Sequence, residues 1–517
     1  GNTLSLSKFI EHGADTYSAF NSVIILALTS PPTVTPRNAD GTYAGGNGNI
    51  DGFSEPNPVY NLEVPKTSNT KYRVTGNVFA EWEIIKALKF KTTFGADYAY
   101  NDVKSFSPAT PSSGGQPITI DGYGQTKVTI PDYLAEYTLT YDKTIKTKHR
   151  FNALAGYTFQ ETQYSILSGG RSGIFNYQIP VLNNAVFLPQ NVSQISNYSQ
   201  DDVTSRFISY IGRLNYTYDN KVYFTGSLRR DGSSNFAPAN KFAFFPSFSL
   251  AWRISEESFV KEIDWITDLK IRSSFGYTGN PNVIPYSYLT RIDQGFQYPL
   301  GNSSGTEGAN QGAAPTAPSN PDIKWEKNEQ LDIGIDASLF KSKLTIALDF
   351  YQKRSKDLIL YVVPINVSGN YVSVPYNTGI LQNRGIDLTV SGTILSSKKL
   401  NWNANLVMST FKNEVISFGL GTSFDKGFAR ISGGSLRTDI GMPADFFYGF
   451  QTDGIFQTQE EIAKSAVQTP GTDPTNSTAP GDIKFKDINN DGIINEKDRT
   501  NLGNSFPKFT FGLNNTI

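Results

Sequence analysis

Period-two alternation, repeated in segment after segment, constrains this chain more than any other feature. In "SRFISYIGRLNYTYDNKVYFTGSLRRDGSS", Ile208, Tyr210, Gly212, Leu214, Tyr216 and Tyr218 fall on one face of an extended chain. Ser209, Ile211, Arg213, Asn215 and Thr217 fall on the other. Beyond a short turn at Asp219-Asn220, Val222, Phe224, Gly226 and Leu228 alternate with Tyr223, Thr225, Ser227 and Arg229. Alternation held this long is a strand signal, and the short turn makes the pair a hairpin.

The unit recurs. "RVTGNVFAEWEII" and "LKFKTTFGADYAY" pair across Lys86-Ala87, and "DYLAEYTLTYD" and "RFNALAGYTFQ" across "KTIKTKH". "PSFSLAWRIS" and "DLKIRSSFGYTGN" pair across "EESFVKEIDWIT", which reads as a short helical cap. "QLDIGIDASLF" and "LTIALDFYQKR" pair across Lys341-Ser342-Lys343, and "GIDLTVSGTIL" and "NWNANLVMSTF" across 396–400. These hairpins give about twelve strands of roughly ten residues. With "TLSLSKFI" at the start, "FFYGFQTDGIF" and a final "KFTFGLN", the total is about fourteen or fifteen.

Each strand carries an apolar face and a polar face: Leu331, Ile333, Ile335, Ala337 and Leu339 oppose Asp332, Gly334, Asp336 and Ser338. A soluble sandwich also alternates, with its apolar face inward. Two features favour a membrane barrel. Connections alternate between short turns and loops that reach about 47 residues, and a tilted strand of about ten residues spans a bilayer. The expected fold is all-β, a transmembrane antiparallel up-and-down β-barrel. Residues 1–517 are read as one barrel domain, with long extracellular loops including about 100–130, 161–204, 280–326, 415–442 and 454–507.

Composition removes several other classes. Net charge is −1, with 46 basic and 47 acidic residues, so nothing points to nucleic acid. The absence of cysteine excludes disulfides, thiol catalysis and cysteine zinc sites. The two histidines, His12 and His149, read as surface residues. The longest aliphatic run, 23–28 in "SVIILALTSPP", is far short of the roughly 20 residues of a spanning helix.

The sharpest local motif is "DINNDGIINEKD". From Asp487 it carries the spacing of an EF-hand loop: Asp487, Asn489, Asp491, the Ile493 carbonyl, Asn495 and Asp498 as oxygen ligands, with Gly492 at the sharp turn. Its flanks lack helical character, and an Asp at the twelfth place is shorter than the usual bidentate Glu, so a weak structural Ca²⁺ site is expected. The competing reading is an Asn/Asp/Gly turn held by side-chain-to-backbone bonds without metal. "GNSSG" at 301–305 matches a nucleophile elbow, yet it sits in a Gly/Ala/Pro/Ser-rich loop with no histidine partner. No acid/base or nucleophile constellation appears, and an enzyme is not expected.

On the polar faces, Arg213, Arg229, Arg253, Arg272, Asp336, Asp349, Asp387 and Asn405 are candidates to line a wet path; the alternative is that they pair with one another, or with a segment filling the barrel, as structural ion pairs. Tyr286, Tyr288, Phe296 and Tyr298 are loop aromatics that suit stacking on sugar rings or packing against another protein surface.

Three segments carry a resemblance. "RRDGSSNFAPANKFAFFPSFSLAWRISEESF", "NPDIKWEKNEQLDIGIDASLFKSKLTIALDFYQKRSKDLI" and "PGDIKFKDINNDGIINEKDRTNLGNSFPKFTFGLN" resemble, in that order, signature stretches of SusC/RagA-type TonB-dependent transporters. The resemblance implies a barrel of about 22 strands in the outer membrane of a Bacteroidetes-like bacterium. It also implies an N-terminal plug, a SusD-like surface lipoprotein as lid, and TonB-powered uptake of glycans or peptides. The family's plug and TonB box belong before residue 1 and its last strands after residue 517, so the chain is expected to be an interior fragment. The rival readings are a passive porin-like channel and a soluble, calcium-stabilised β protein that binds carbohydrate.

Overall fold

The computed structural model describes residues 1–517 except 14–21, 31–34, 45–56, 109–120, 175, 177, 185–194, 300–308, 363–372, 420–422, 428–434 and 469–477. In chain order the strands are β1 (Asn2–His12), β2 (Lys66–Ile85), β3 (Leu88–Ser107), β4 (Gly122–Ile145), β5 (His149–Arg171) and β6 (Ile195–Tyr218). β7 (Val222–Ser233), β8 (Phe242–Arg253), β9 (Ile266–Asn280), β10 (Arg291–Pro299), β11 (Ala309–Ala317) and β12 (Glu326–Leu339) follow. Then come β13 (Leu344–Lys356), β14 (Ile359–Val362), β15 (Val374–Asn377), β16 (Ile380–Ser396), β17 (Asn401–Ser417) and β18 (Ser423–Gly427). The last are β19 (Ser435–Asp439), β20 (Phe446–Phe450), β21 (Thr452–Ile455), β22 (Ile483–Phe485), β23 (Arg499–Asn504) and β24 (Phe509–Thr516). Fourteen of these form one antiparallel sheet whose neighbours follow the chain: β1 to β9, then β12, β13, β16, β17 and β24. That agrees with the strand number expected from alternation.

Their length does not agree. β4 and β6 each run 24 residues and β2 runs 20, against the ten or so expected. At about 3.4 Å per residue, β4 is roughly 80 Å long, more than twice what a bilayer requires. Alternation is visible only where one face is apolar. Beyond that band both faces are polar and the ladder continues without a sequence signal. The loops beyond β3 and β5 are correspondingly shorter than the sequence suggests.

The turns follow their residues. Asp219 and Asn220 both take positive φ, +49° and +54°, and Lys221 N donates to Tyr218 O at 2.8 Å. That is the left-handed pair whose twist matches a hairpin, in residues that tolerate it. The expected helical cap between β8 and β9 is one turn, Ser258–Lys261. The 23–28 run lies in a short helix, Val23–Thr29, and among the described residues no helix is long and apolar enough to cross a membrane.

Two compact units divide the chain: 1–141, 154–211 and 231–235 form the first, and 142–153, 212–230 and 236–517 the second. Within the first, an aromatic ladder crosses the strands from Phe94 to Tyr137 (6.0 Å), Tyr157 (6.2 Å) and Tyr210 (5.3 Å, the last step). Such pairs set register beyond their burial alone. A small core of Phe106, Tyr123 and Ile174 lies at the strand ends, where the Asp121 carboxylate accepts the Ile174 N–H at 2.9 Å.

In the second unit the excursions between long strands carry their own sheets: β10–β11, β14–β15, β18–β19–β20–β23 and β21–β22. "FFYGFQTDGIF" therefore supplies no strand of the long sheet. It divides into β20 and β21, with Gly454 at φ +100°, and the two halves pair into different small sheets. Trp325 (2% exposed) is the hub of the packing here, against Phe236 at 5.2 Å and Phe245 at 5.6 Å. Its indole N–H donates to Lys241 O at 3.2 Å. Two of the signature segments thus pack on each other.

Candidate functional site: a polar strand face and an acidic loop

On β12 the usual order of burial is inverted. Leu331, Ile333 and Ile335 are 39%, 46% and 39% exposed, while the side chains of Asp332 and Asp336 are 21% and 34% exposed. In water each such apolar side chain forgoes a part of the roughly 1.5–3 kcal/mol that full burial contributes. The register extends the pattern. Ile333 lies opposite Phe350, Phe350 opposite Ile386, and Ile386 opposite Thr410, all on the apolar face.

The polar face is built from another row of directly opposed residues: Arg272, Gly334, Asp349, Asp387 and Ser409, on β9, β12, β13, β16 and β17. Gly334 makes the row work. A Cβ there would lie 2.6 Å from Arg272 Cζ and would also collide with the Asp349 carboxylate. Its absence lets Arg272 pass over β12 and donate from Nη2 to Asp349 Oδ2 at 2.8 Å. Arg272 also donates to Asp336 at 3.1 Å and Asp332 at 3.3 Å. Lys270 Nζ reaches Asp336 at 2.8 Å, and Ser409 donates to Asp387 at 2.5 Å. Four carboxylates thus face two cations, a wall that is charged, hydrogen-bonded and acidic on balance.

Of the polar-face candidates, Arg272, Asp336, Asp349 and Asp387 come together. Arg253 does not join them; it donates to Asp268 at 2.7 Å beside the one-turn cap. Asn405 accepts from Ser391 at 3.0 Å. Arg213 is exposed and makes no hydrogen bond or ion pair with described residues, and Arg229 is exposed. Tyr286 and Tyr288 are neighbours with ring centroids 6.5 Å apart. The side chains of Phe296 and Tyr298, and the 301–305 motif, lie outside the described residues. Sequence reading missed Lys270 and the passage at Gly334; a glycine within an alternating strand is the signal for such a close approach.

The acidic loop follows β22. Carboxylate oxygens of Asp487, Asp491 and Asp498 all lie within 4.8 Å of one another. Asp487 Oδ2 accepts the Gly492 N–H at 2.8 Å, with Gly492 at φ +82°. Asp491 Oδ1 accepts from Ile493 N at 3.0 Å. Asp498 is buried and accepts backbone N–H bonds from Asn495 (2.8 Å), Ile488 (2.9 Å) and Asn489 (3.4 Å). These bonds, the Asn495 one foremost, hold its carboxyl below the ordinary carboxylate range. Asn489 and Asn495 turn their NH₂ groups toward Asp491 Oδ2, at 3.0 and 3.5 Å. The loop therefore closes through its own hydrogen bonds, as the metal-free reading requires. The donor set also fits Ca²⁺ once both amides turn an oxygen inward.

An exposed apolar face alternating with a bonded polar one, on strands that follow the chain, defines the wall of a membrane-spanning β-barrel protein. Comparison with known proteins supplies the family. The profile described as "TonB dependent receptor-like, beta-barrel" matches residues 13–493. The chain belongs to that family, one of outer-membrane receptors and transporters, and the resemblance of the three signature segments to its SusC/RagA type is borne out. It is 32% identical over 508 residues to TonB-dependent receptor P3 of Formosa agariphila, covering 96% of this chain and 47% of the relative. It is 26% identical to TonB-dependent receptor SusC of Bacteroides thetaiotaomicron, covering 94% of this chain and 47% of that one. The structure of the RagAB peptide transporter superposes with a TM-score of 0.76 at 22% identity, over 99% of this chain and 53% of that one. The chain spans about half the length of the curated relatives it matches.

Proposed function

We propose that this chain is barrel wall in a TonB-driven outer-membrane importer of oligosaccharides or peptides, working with a SusD-like surface lipoprotein. The observation that carries the reading is the pairing of an exposed apolar face with an acidic, hydrogen-bonded polar face within a family of outer-membrane receptors. The apolar face meets lipid; the polar face meets water, substrate or a plug. Transport on this reading is binding and gated passage, with no covalent step. TonB acts through the N-terminal part of the whole protein, and the long connections of one side meet the lipoprotein.

The test is uptake by cells carrying the whole gene, with fluorescent oligosaccharides and peptides offered separately, in the presence and absence of TonB. Uptake of one class that stops without TonB is the expected result. Uptake indifferent to TonB marks a passive channel, and a protein that stays soluble without detergent marks the soluble β protein. Co-purification in mild detergent reads out the lipoprotein.

For the acidic loop we propose Ca²⁺ held by Asp487, Asn489, Asp491, the Ile493 carbonyl, Asn495 and Asp498, as a weak structural brace with affinity of about 10⁻⁴–10⁻³ M. Limited proteolysis with and without chelator tests it. Calcium should slow cleavage in the wild type and have no effect on the D487N/D491N variant; a wild type indifferent to chelator contradicts it.

A further inference from the structure

The apolar face of the second unit carries a groove of about 490 Å³ whose floor spans β12, β13, β16 and β17. Its lower part is apolar: Ile333, Phe350 and Ile386. Its upper part is cationic. Arg384 and Lys412 line it and lie directly opposite each other on β16 and β17, an arrangement that repels unless an anion sits between them. Lys412 has one carboxylate, Glu414, at 2.8 Å. Arg384 is exposed and makes no hydrogen bond or ion pair with described residues, although Glu414 lies near enough to feel its charge as well as that of Lys412. In the next row Arg354 is spent on Gln382 (2.7 Å), and Lys356 on Glu329 (2.7 Å). Counting those neighbours, four cations meet two carboxylates, so the collar above the apolar floor is positive.

The position matters as much as the charge. Arg384 and Lys412 lie near the ends of β16 and β17 from which the long excursions 357–379 and 418–508 leave, while the apolar floor continues toward the short turns. A cation pair at the rim of a lipid-facing apolar band is where a lipid headgroup sits, with room for a chain below. We infer that this groove binds an anionic, phosphate-bearing lipid of the outer leaflet, its phosphate between Arg384 and Lys412 and an acyl chain along Phe350 and Ile386. The inference rests on the reading of this face as lipid-facing.

The experiment uses the whole protein, extracted from its outer membrane in mild detergent and moved into phosphatidylcholine nanodiscs containing phosphatidylglycerol as the anionic probe. Native mass spectrometry counts retained phosphatidylglycerol. The R384Q/K412Q variant is expected to retain about tenfold less than wild type. The K398Q/K399Q variant, with the same charge change in the turn between β16 and β17, should match wild type. Equal retention by all three, or equal loss in both variants, overturns the assignment, as does a photo-crosslink from position 350 to a second copy of the chain. Heat-shifted gel migration checks that the variants fold. If R384Q/K412Q does not, a photoactivatable phenylalanine analogue at position 350 decides: adducts enriched in phosphatidylglycerol support the site, and adducts in the bulk lipid ratio overturn it. A protein that enters nanodiscs without lipid preference overturns this inference alone. One that needs neither detergent nor lipid overturns the importer reading beneath it.

Discussion

The smallest features decide most at Gly334, where the lack of a side chain lets one arginine serve carboxylates on two strands. Substituting Gly334→Ala pushes Arg272 and Asp349 apart and should cost about 1–3 kcal/mol by overpacking. The shift in the temperature at which the folded form converts on a semi-native gel measures it. Arg272→Gln leaves Asp332, Asp336 and Asp349 with Lys270 alone and should also destabilise. Adding Asp349→Asn removes one uncompensated charge and should restore part of the loss; a double variant weaker than the single would show the cluster acting otherwise. The charged candidates were legible as a set from their alternation with apolar neighbours. Their pairing was not, because alternation assigns a face and says nothing of which strand lies two away. Arg253 looked equivalent to Arg272 and instead clamps a cap. In the acidic loop, every proposed ligand was named by spacing, while the role of Asp498 as acceptor of three backbone N–H groups came only from the fold. Its carboxyl is held below the ordinary value. The stability it contributes is therefore present above the unfolded-chain value near 3.9 and lost as pH falls through the folded one. Protection of the 488, 489 and 495 amides, taken relative to their intrinsic exchange rates, should fall below about pH 4, and Asp498→Asn should abolish that step.

Hairpins were the most readable elements, since period two and a left-handed Asp219-Asn220 turn are both local signals. What local signals miss is a strand continuing with two wet faces, and a strand too short to show a period. The first hid the extensions of β4 and β6; the second made "FFYGFQTDGIF" read as one strand where β20 and β21 are two. The tryptophan of "DIKWEK" has no role visible in the sequence, and the fold gives it one beneath Phe236 and Phe245. Trp325→Ala should cost about 3–5 kcal/mol locally. That loss should appear as faster proteolysis in the segments around 236–245 and 320–325, with the long sheet still resistant. Uniform loss of resistance would mean that the hub supports the sheet as well.

For the whole molecule, the barrel-wall reading requires that one face of each long strand meet lipid and the other not. Length and charge balance left a soluble β protein open, and the alternation alone could not choose, because a sandwich and a barrel wall share it. The exposure of the apolar rows and the family match decide it. The cysteine-free sequence makes the direct measurement simple. Single cysteines placed in turn at 331–338 on β12, spin-labelled in the whole protein reconstituted in bilayers, report collisions with oxygen, which concentrates in lipid, and with a water-soluble nickel chelate. High oxygen and low nickel collisions are expected at 331, 333, 335 and 337, with oxygen collisions falling at 332, 334, 336 and 338. Nickel access at the odd positions equal to or above that at the even ones would contradict the barrel-wall reading.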